Sequence, residues 1–228
     1  MRMWFLCLVL FPAWLRAAEP LFQDDFRHGL AAWVVEQQPG GRVTAADGRL
    51  VIDDTAGCTV WFREPLEAPV TIRYTAKVSS ANRVSDLNCF WMASDPARPD
   101  DLFGPGHGRT GKFATYDPLK TYYVGYGGNT NTTTRFRRYD GTGARPLLPE
   151  HDRTTPEFLL KPDHAYEITL VAGADGRVQF IRDGEVVFDW TDPEPLRRGW
   201  FGFRTVWSRL EITDFSVHAG VPSSAAVQ

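Results

Sequence analysis

The side chains best suited to chemistry lie in the middle of the sequence. Tyr122, Tyr123 and Tyr126 fall in Tyr-Tyr-Val-Gly-Tyr-Gly-Gly-Asn, and Arg135, Arg137 and Arg138 follow in Arg-Phe-Arg-Arg. A phenol can carry a proton, and a guanidinium grips a planar carboxylate through two parallel hydrogen bonds. Together they suit removal of a proton beside a carboxylate. The arginine neutralises the developing charge, and the base must lie within hydrogen-bond reach of the proton. Tyrosine has an ordinary pKa of about 10, and adjacent arginines favour the phenolate and lower that value. Tyr122 and Tyr126 are therefore the candidate bases, Arg135, Arg137 and Arg204 the candidate carboxylate clamps, and Asn88 a polarising amide. His107 and His151, in two long loops, are reserve acids or bases. Each residue also has a structural reading. Tyrosines pack well in strands, loop histidines are often simply exposed, and the arginines can pair with Asp140, Glu150 or Asp152.

These groups must be positioned by strands, where residues i and i+2 share a face. Asp86 and Asn88 then share one face and Leu87, Cys89 and Trp91 the other. Thr133, Arg135, Arg137 and Tyr139 share a face opposite Phe136; Tyr122 and Tyr126 share a face opposite Tyr123. Trp200 and Arg204 share a face with Gly202 between them, which turns Phe201 and Phe203 to the core. If these strands are neighbours, one sheet presents Asp86, Asn88, Arg135, Arg137, Trp200 and Arg204 on one polar surface. Asn129 and Trp207 complete the candidate substrate-binding set. Trp61, Trp91, Trp190 and Trp207 could stack on sugar rings, with core packing the default for each.

Short apolar runs broken by Gly, Pro, Asp and Asn predict strands at Arg49–Asp53, Cys58–Phe62, Val70–Val78, Asp86–Ala93, Thr121–Tyr126, Thr132–Tyr139, Tyr166–Val171, Arg177–Arg182, Glu185–Trp190, Trp200–Trp207 and Glu211–His218. Asp47-Gly48, Asp175-Gly176 and Asp183-Gly184 signal hairpins. No long stripe of helical period occurs, so helices are minor. Strands at this spacing predict an all-β sandwich or barrel. The sandwich is favoured because the opening Leu21–Phe26 can lie beside the closing Ile212–Val217. Asp95–Leu119 and Asp140–Pro162 read as long loops that could wall a groove.

A length of 228 residues and 43% hydrophobic content suit one domain with a sizeable core, and a net charge of −3 carries no basic bias toward nucleic acid. Arg2, the apolar run Trp4 to Trp14 and Ala17-Ala18 read as an export signal over residues 1–18, too short for a membrane span. That leaves a single domain at 19–220, a flexible tail at 221–228, and a secreted or periplasmic location. Cys58 and Cys89 could form a disulfide in an oxidising compartment; buried apolar thiols are the favoured reading. Asp24-Asp25 and Asp100-Asp101 could ligate a structural calcium, but turn capping fits their spacing better. No cofactor is expected. Paired carboxylates at hydrolase spacing are missing, which disfavours a retaining glycosidase.

Three segments carry a family resemblance. They are Asp101-Leu102-Phe103 with Arg109-Thr110-Gly111; Tyr122–Tyr126 with Arg135-Phe136-Arg137; and Phe201-Gly202-Phe203-Arg204 with Asp214-Phe215-Ser216-Val217-His218. In this order they resemble the YesU-like family of bacterial jelly-roll proteins. The resemblance implies a two-sheet antiparallel jelly-roll sandwich of the concanavalin A-like lectin/glucanase type. It also implies a saccharide context, pectin or rhamnogalacturonan utilisation, without fixing a reaction. The Tyr-bearing stretch is faintly similar to the alginate-lyase type of jelly roll, whose other motifs are absent. The expected function is a lyase acting on uronic-acid-containing glycans by Tyr/Arg-assisted β-elimination. The alternatives are a non-catalytic carbohydrate-binding domain or a keto-sugar hydrolase. The expected partner is an acidic saccharide, and the expected state a monomer.

Overall fold

The computed structural model describes residues 19–221. The expected export signal at 1–18, and all but the first residue of the expected tail at 221–228, lie outside the described residues. Alternating apolar side chains give each strand one face to bury, and two sheets close over those faces. The first sheet runs β14 (Glu185–Thr191), β13 (Arg177–Arg182), β12 (Ala165–Ala172), β7 (Val70–Val78), β16 (Arg209–Ala219), β4 (Arg49–Asp53) and β3 (Arg42–Ala46), with β1 (Phe22–Asp24) also paired to β16. The second runs β11 (Asp152–Arg153), β10 (Thr133–Asp140), β9 (Lys120–Gly127), β8 (Asn88–Ser94), β15 (Arg198–Thr205), β5 (Cys58–Phe62) and β2 (Trp33–Gln37), with β6 (Leu66–Glu67) on β15. All pairings between these strands are antiparallel. The fold is the expected jelly-roll sandwich.

Between the sheets, Leu50, Ile52, Ile72, Tyr74 and Ile212 meet Val60, Phe62, Trp91, Val124 and Phe203, all buried. Burying each such side chain contributes about 1.5–3 kcal/mol. Trp33 stands edge-on to Phe215 at 4.9 Å and stacks on Phe203 at 5.3 Å, and its indole N–H donates to Asp24 Oδ2 at 2.8 Å. Opening and closing strands pair as expected, Phe22 opposite Val217. β4, β5, β7 and β13 keep the expected bounds. Four strands escape the apolar pattern: β2 and β3 interleave Glu36, Gln37, Arg42 and Thr44, and β6 and β11 have only two residues each. Asp47-Gly48 and Asp183-Gly184 each place both residues at positive φ, the geometry that two-residue hairpins require.

The two long loops do more than wall a groove. Segment 95–119 folds over part of the second sheet's outer face and builds a second apolar cluster with Trp61, Phe90, Leu102, Tyr116 and Trp200. β5 is therefore buried on both faces. Trp61 lies across Gly202, where a Cβ would stand 2.6 Å from the ring. Arg109, fully inside, anchors the segment. Its Nε donates to Glu36 Oε1 at 3.1 Å, its Nη2 donates to the Leu102 carbonyl, and its Nη1 lies 3.7 Å from Asp95. Segment 140–162 is tied to the first loop by Arg145, whose Nε and Nη2 donate to the two carboxylate oxygens of Asp117 at 2.7 and 2.8 Å.

Cys58 and Cys89 are free and buried, and burial holds the Cys89 thiol up at about 12. Asp24, Asp25 and Asp101 accept backbone N–H bonds from residues two positions on, the turn-capping role. Among the described residues, no group of three or more His, Cys, Asp or Glu could hold a metal ion, and no helix is long and apolar enough to cross a membrane.

Candidate functional site

The outer face of the second sheet that the loop leaves open is a groove of about 450 Å³. Its floor comes from β8, β9, β10 and β15, which are neighbours as the polar-surface argument requires. Asp86, Asn88, Asn129, Arg135, Arg137 and Arg204 all line it, with Arg83, Phe113, Tyr123 and Arg145. Gly125 opposes Arg135 across the β9–β10 pair and carries no side chain, so the Tyr123 ring can lie over it.

Arg204 lines the groove from β15. It is fully buried, and its guanidinium carbon sits 4.9 Å from the Phe113 ring centre and 5.0 Å from that of Tyr116. Nη1 donates to Thr59 Oγ1 at 3.0 Å and to the Gly111 carbonyl at 2.8 Å. Nε and Nη2 have no hydrogen-bond partner. Among the described residues Arg204 makes no ion pair, and neither does Arg137, whose Nη1 donates to the carbonyls of Arg145 and Pro146. Asn88, opposite Arg204 on β8, donates through Nδ2 to Asp86 Oδ1 at 3.2 Å and leaves its buried Oδ1 without a partner. A buried polar atom left unbonded costs about 1–3 kcal/mol. Two guanidinium nitrogens and an amide oxygen without partners thus lie on paired residues of adjacent strands.

The other cations are matched. Arg135 donates to both Asp152 oxygens at 2.9 Å and holds that carboxyl below its ordinary range. This is the ion-pair alternative, realised on the groove wall. Arg83 donates to Asp86 Oδ2 at 2.6 Å, and Arg145 is held by Asp117. Asp86 precedes β8 rather than joining it, at a φ of +60°, yet stays beside Asn88 through their hydrogen bond.

Several expected residues lie elsewhere. Tyr122 and Tyr126 point into the sandwich core. Tyr122 Oη donates to Asp192 Oδ2 at 2.8 Å, and Tyr126 Oη accepts from Arg182. Burial raises both phenol pKa values far more than nearby arginines lower them, so neither is a phenolate poised at the groove. The physical reason is Val124, which lies between them on the face that packs inward. Tyr123, on the opposite face, is the phenol that reaches the groove, and burial likewise raises its pKa. His107 sits 3.6 Å from buried Glu36 at the loop anchor. His151 is buried against Phe136, Phe188 and Trp190. Trp200 shares the outer face but lies under Phe103 in the second apolar cluster, its indole N–H donating to the Arg63 carbonyl at 3.0 Å. Trp207 is exposed just beyond β15. Arg83, Phe113 and Arg145 were not singled out from the sequence; the i,i+3 spacing of Arg83 to Asp86 was the one local signal.

A family model described as "Domain of unknown function (DUF6250)" matches residues 52–215. The chain belongs to this family. For this DUF6250 protein no curated protein matches. Among solved structures it is similar to a Bacillus subtilis protein of unknown function with a galectin-like fold, at 21% identity and a TM-score of 0.72, covering 91% of this chain and 99% of that one. It is also similar to the carbohydrate-binding module CBM66 of Bacillus subtilis (12%, TM-score 0.57, covering 83% and 97%). A prokaryotic β-1,3-1,4-glucanase (lichenase) from a mouse hindgut metagenome is a third (15%, TM-score 0.55, covering 88% and 99%). At these identities the likeness is one of fold, and it bears out the jelly-roll half of the sequence resemblance.

Proposed function

We propose that this DUF6250 protein is an exported carbohydrate-binding protein whose groove receives the carboxylate of an acidic saccharide. The observation that carries the reading is Arg204, a buried cation with no carboxylate partner among the described residues, whose Nε and Nη2 lack hydrogen-bond partners and whose cross-strand neighbour Asn88 has an amide oxygen that lacks one too. An arginine in this state offers a carboxylate the paired donors it binds best, and the amide oxygen can accept from a neighbouring sugar hydroxyl. Arg137 adds a second cation without an ion pair. Fold neighbours named as a carbohydrate-binding module and a glucanase support a saccharide ligand.

β-Elimination has the weaker case. It needs a base matched to working pH, and the phenol at the groove, Tyr123, has its pKa raised by burial. Binding without turnover fits the residues better.

Calorimetry with galacturonate oligosaccharides and neutral oligosaccharides of equal length tests this. The acidic ligands should bind and the neutral ones should not. Asn88→Asp places a carboxylate opposite Arg204, and Arg204→Lys removes the paired donors; each should weaken binding about ten- to a hundredfold. Equal affinity for neutral sugars, or no acidic saccharide bound by the folded wild-type protein, would sink the reading. Ultraviolet absorbance of an unsaturated uronide appearing during the titration would instead establish elimination.

A further inference from the structure

Trp207 is 56% exposed, whereas Trp33, Trp61, Trp91 and Trp200 are buried. Its backbone stands at a φ of +54°, a region that bulky residues rarely occupy. The turn is clamped from two sides. Buried Asp54 accepts the N–H groups of Trp207 and Ala56 through Oδ2, each at 3.1 Å, and its own N–H donates to the Ser208 carbonyl at 3.1 Å. From the groove side, Arg83 Nη2 donates to the Val206 carbonyl at 2.6 Å, and its guanidinium carbon lies 5.3 Å from the indole centre. The same Arg83 lines the groove and pairs with Asp86, which bonds Asn88, the cross-strand partner of Arg204.

Beyond the Arg83 contact, a folding chain gains little from holding a half-exposed tryptophan on a strained backbone. Strain of this kind persists where the surroundings over-determine it, commonly at ligand sites. A rigid indole loses little entropy on binding and offers a flat apolar face. Such a face suits the C–H side of a pyranose ring. The cation on one side of the ring also fixes the indole relative to the carboxylate site.

We propose that Trp207 is an outer subsite for an acidic oligosaccharide. The carboxylate-bearing unit sits at Arg204 and Asn88, and a second pyranose further along the chain stacks on the indole. The ligand class is therefore an oligouronide or a mixed acidic oligosaccharide rather than a single uronic acid. The inference rests on the groove reading above.

The test compares galacturonic acid with trigalacturonate, read by calorimetry and by tryptophan fluorescence. Wild-type protein should bind the trisaccharide at least roughly tenfold more tightly, with a change in indole emission. Trp207→Gly suits the positive φ, so it should fold with an equal or higher Tm while binding both ligands alike and losing the emission change. Trp207→Asn, which also tolerates this φ, guards against added flexibility, and Trp207→Tyr should restore part of the chain-length gain. If Trp207→Gly binds trigalacturonate as wild type does, the subsite is overturned, while loss of binding in Arg204→Lys would leave the groove reading standing. A loss that is equal for both ligands would make Trp207 a support of the groove and also overturn the subsite. If neither ligand binds wild-type protein, both readings fall.

Discussion

A buried guanidinium is stable only when its surroundings replace water. Arg204 is held by a hydroxyl, a carbonyl and two aromatic rings, each cation–π contact contributing about 0.5–2 kcal/mol. No carboxylate consumes its charge among the described residues. The phenols beside it are silent: burial raises Tyr123 well above the ordinary value and Tyr139 to about 12. A raised pKa keeps the neutral phenol at physiological pH, so saccharide affinity should be flat from about pH 6 to 9. It should fall only below about pH 4, as the ligand carboxyl takes up its proton. Calorimetry across this range checks it, and an alkaline rise would mean that a phenolate takes part. At this scale Asn88, Arg135, Arg137 and Arg204 were legible from strand alternation, while Asp86, outside β8, joins them through its hydrogen bond to Asn88. The tyrosines were not, because alternation separates two faces without saying which one is inside. Val124 between Tyr122 and Tyr126, against Gly125 beside Tyr123, was the available clue.

The strands themselves were legible wherever an apolar side chain recurred at every second position, as in β7 and β13. β5 reads as a plain apolar run because both its faces are covered, and the cover is a loop of Gly, Pro and charge that no pattern marks as core. That cover depends on Arg109 meeting Glu36 across 73 residues, a contact invisible in local spacing. Arg109→Met should leave buried Glu36 without its arginine, while Asp95 keeps Arg98. Breaking one partner from a buried pair costs about 3–5 kcal/mol, and urea unfolding should show that loss. Because the Gly111 carbonyl in the same loop holds Arg204, saccharide binding should weaken in parallel.

The described residues form two packed sheets, and His151 is wedged between their margins. His151 touches Phe136 of the second sheet and Phe188 and Trp190 of the first. Desolvation lowers its pKa, so the folded state prefers the neutral ring. The stabilisation is complete above the unfolded value of about 6.5 and is lost as pH falls through and below it. Tm should therefore drop between about pH 7.5 and 5, and His151→Leu should show a smaller drop in a thermal scan. The sandwich was legible because opening and closing strands both carried the β pattern; the position of His151 was not, since it depends on where a long loop returns. That same terminal pairing has a practical side. The Leu21 N–H donates to the Val217 carbonyl at 2.7 Å, so β1 and β16 lie side by side on the first sheet, behind the face that bears the arginines. Attachment to a sensor chip through an exposed residue of β1 or β16 would leave the groove facing the flow, and surface immobilisation should not mask it.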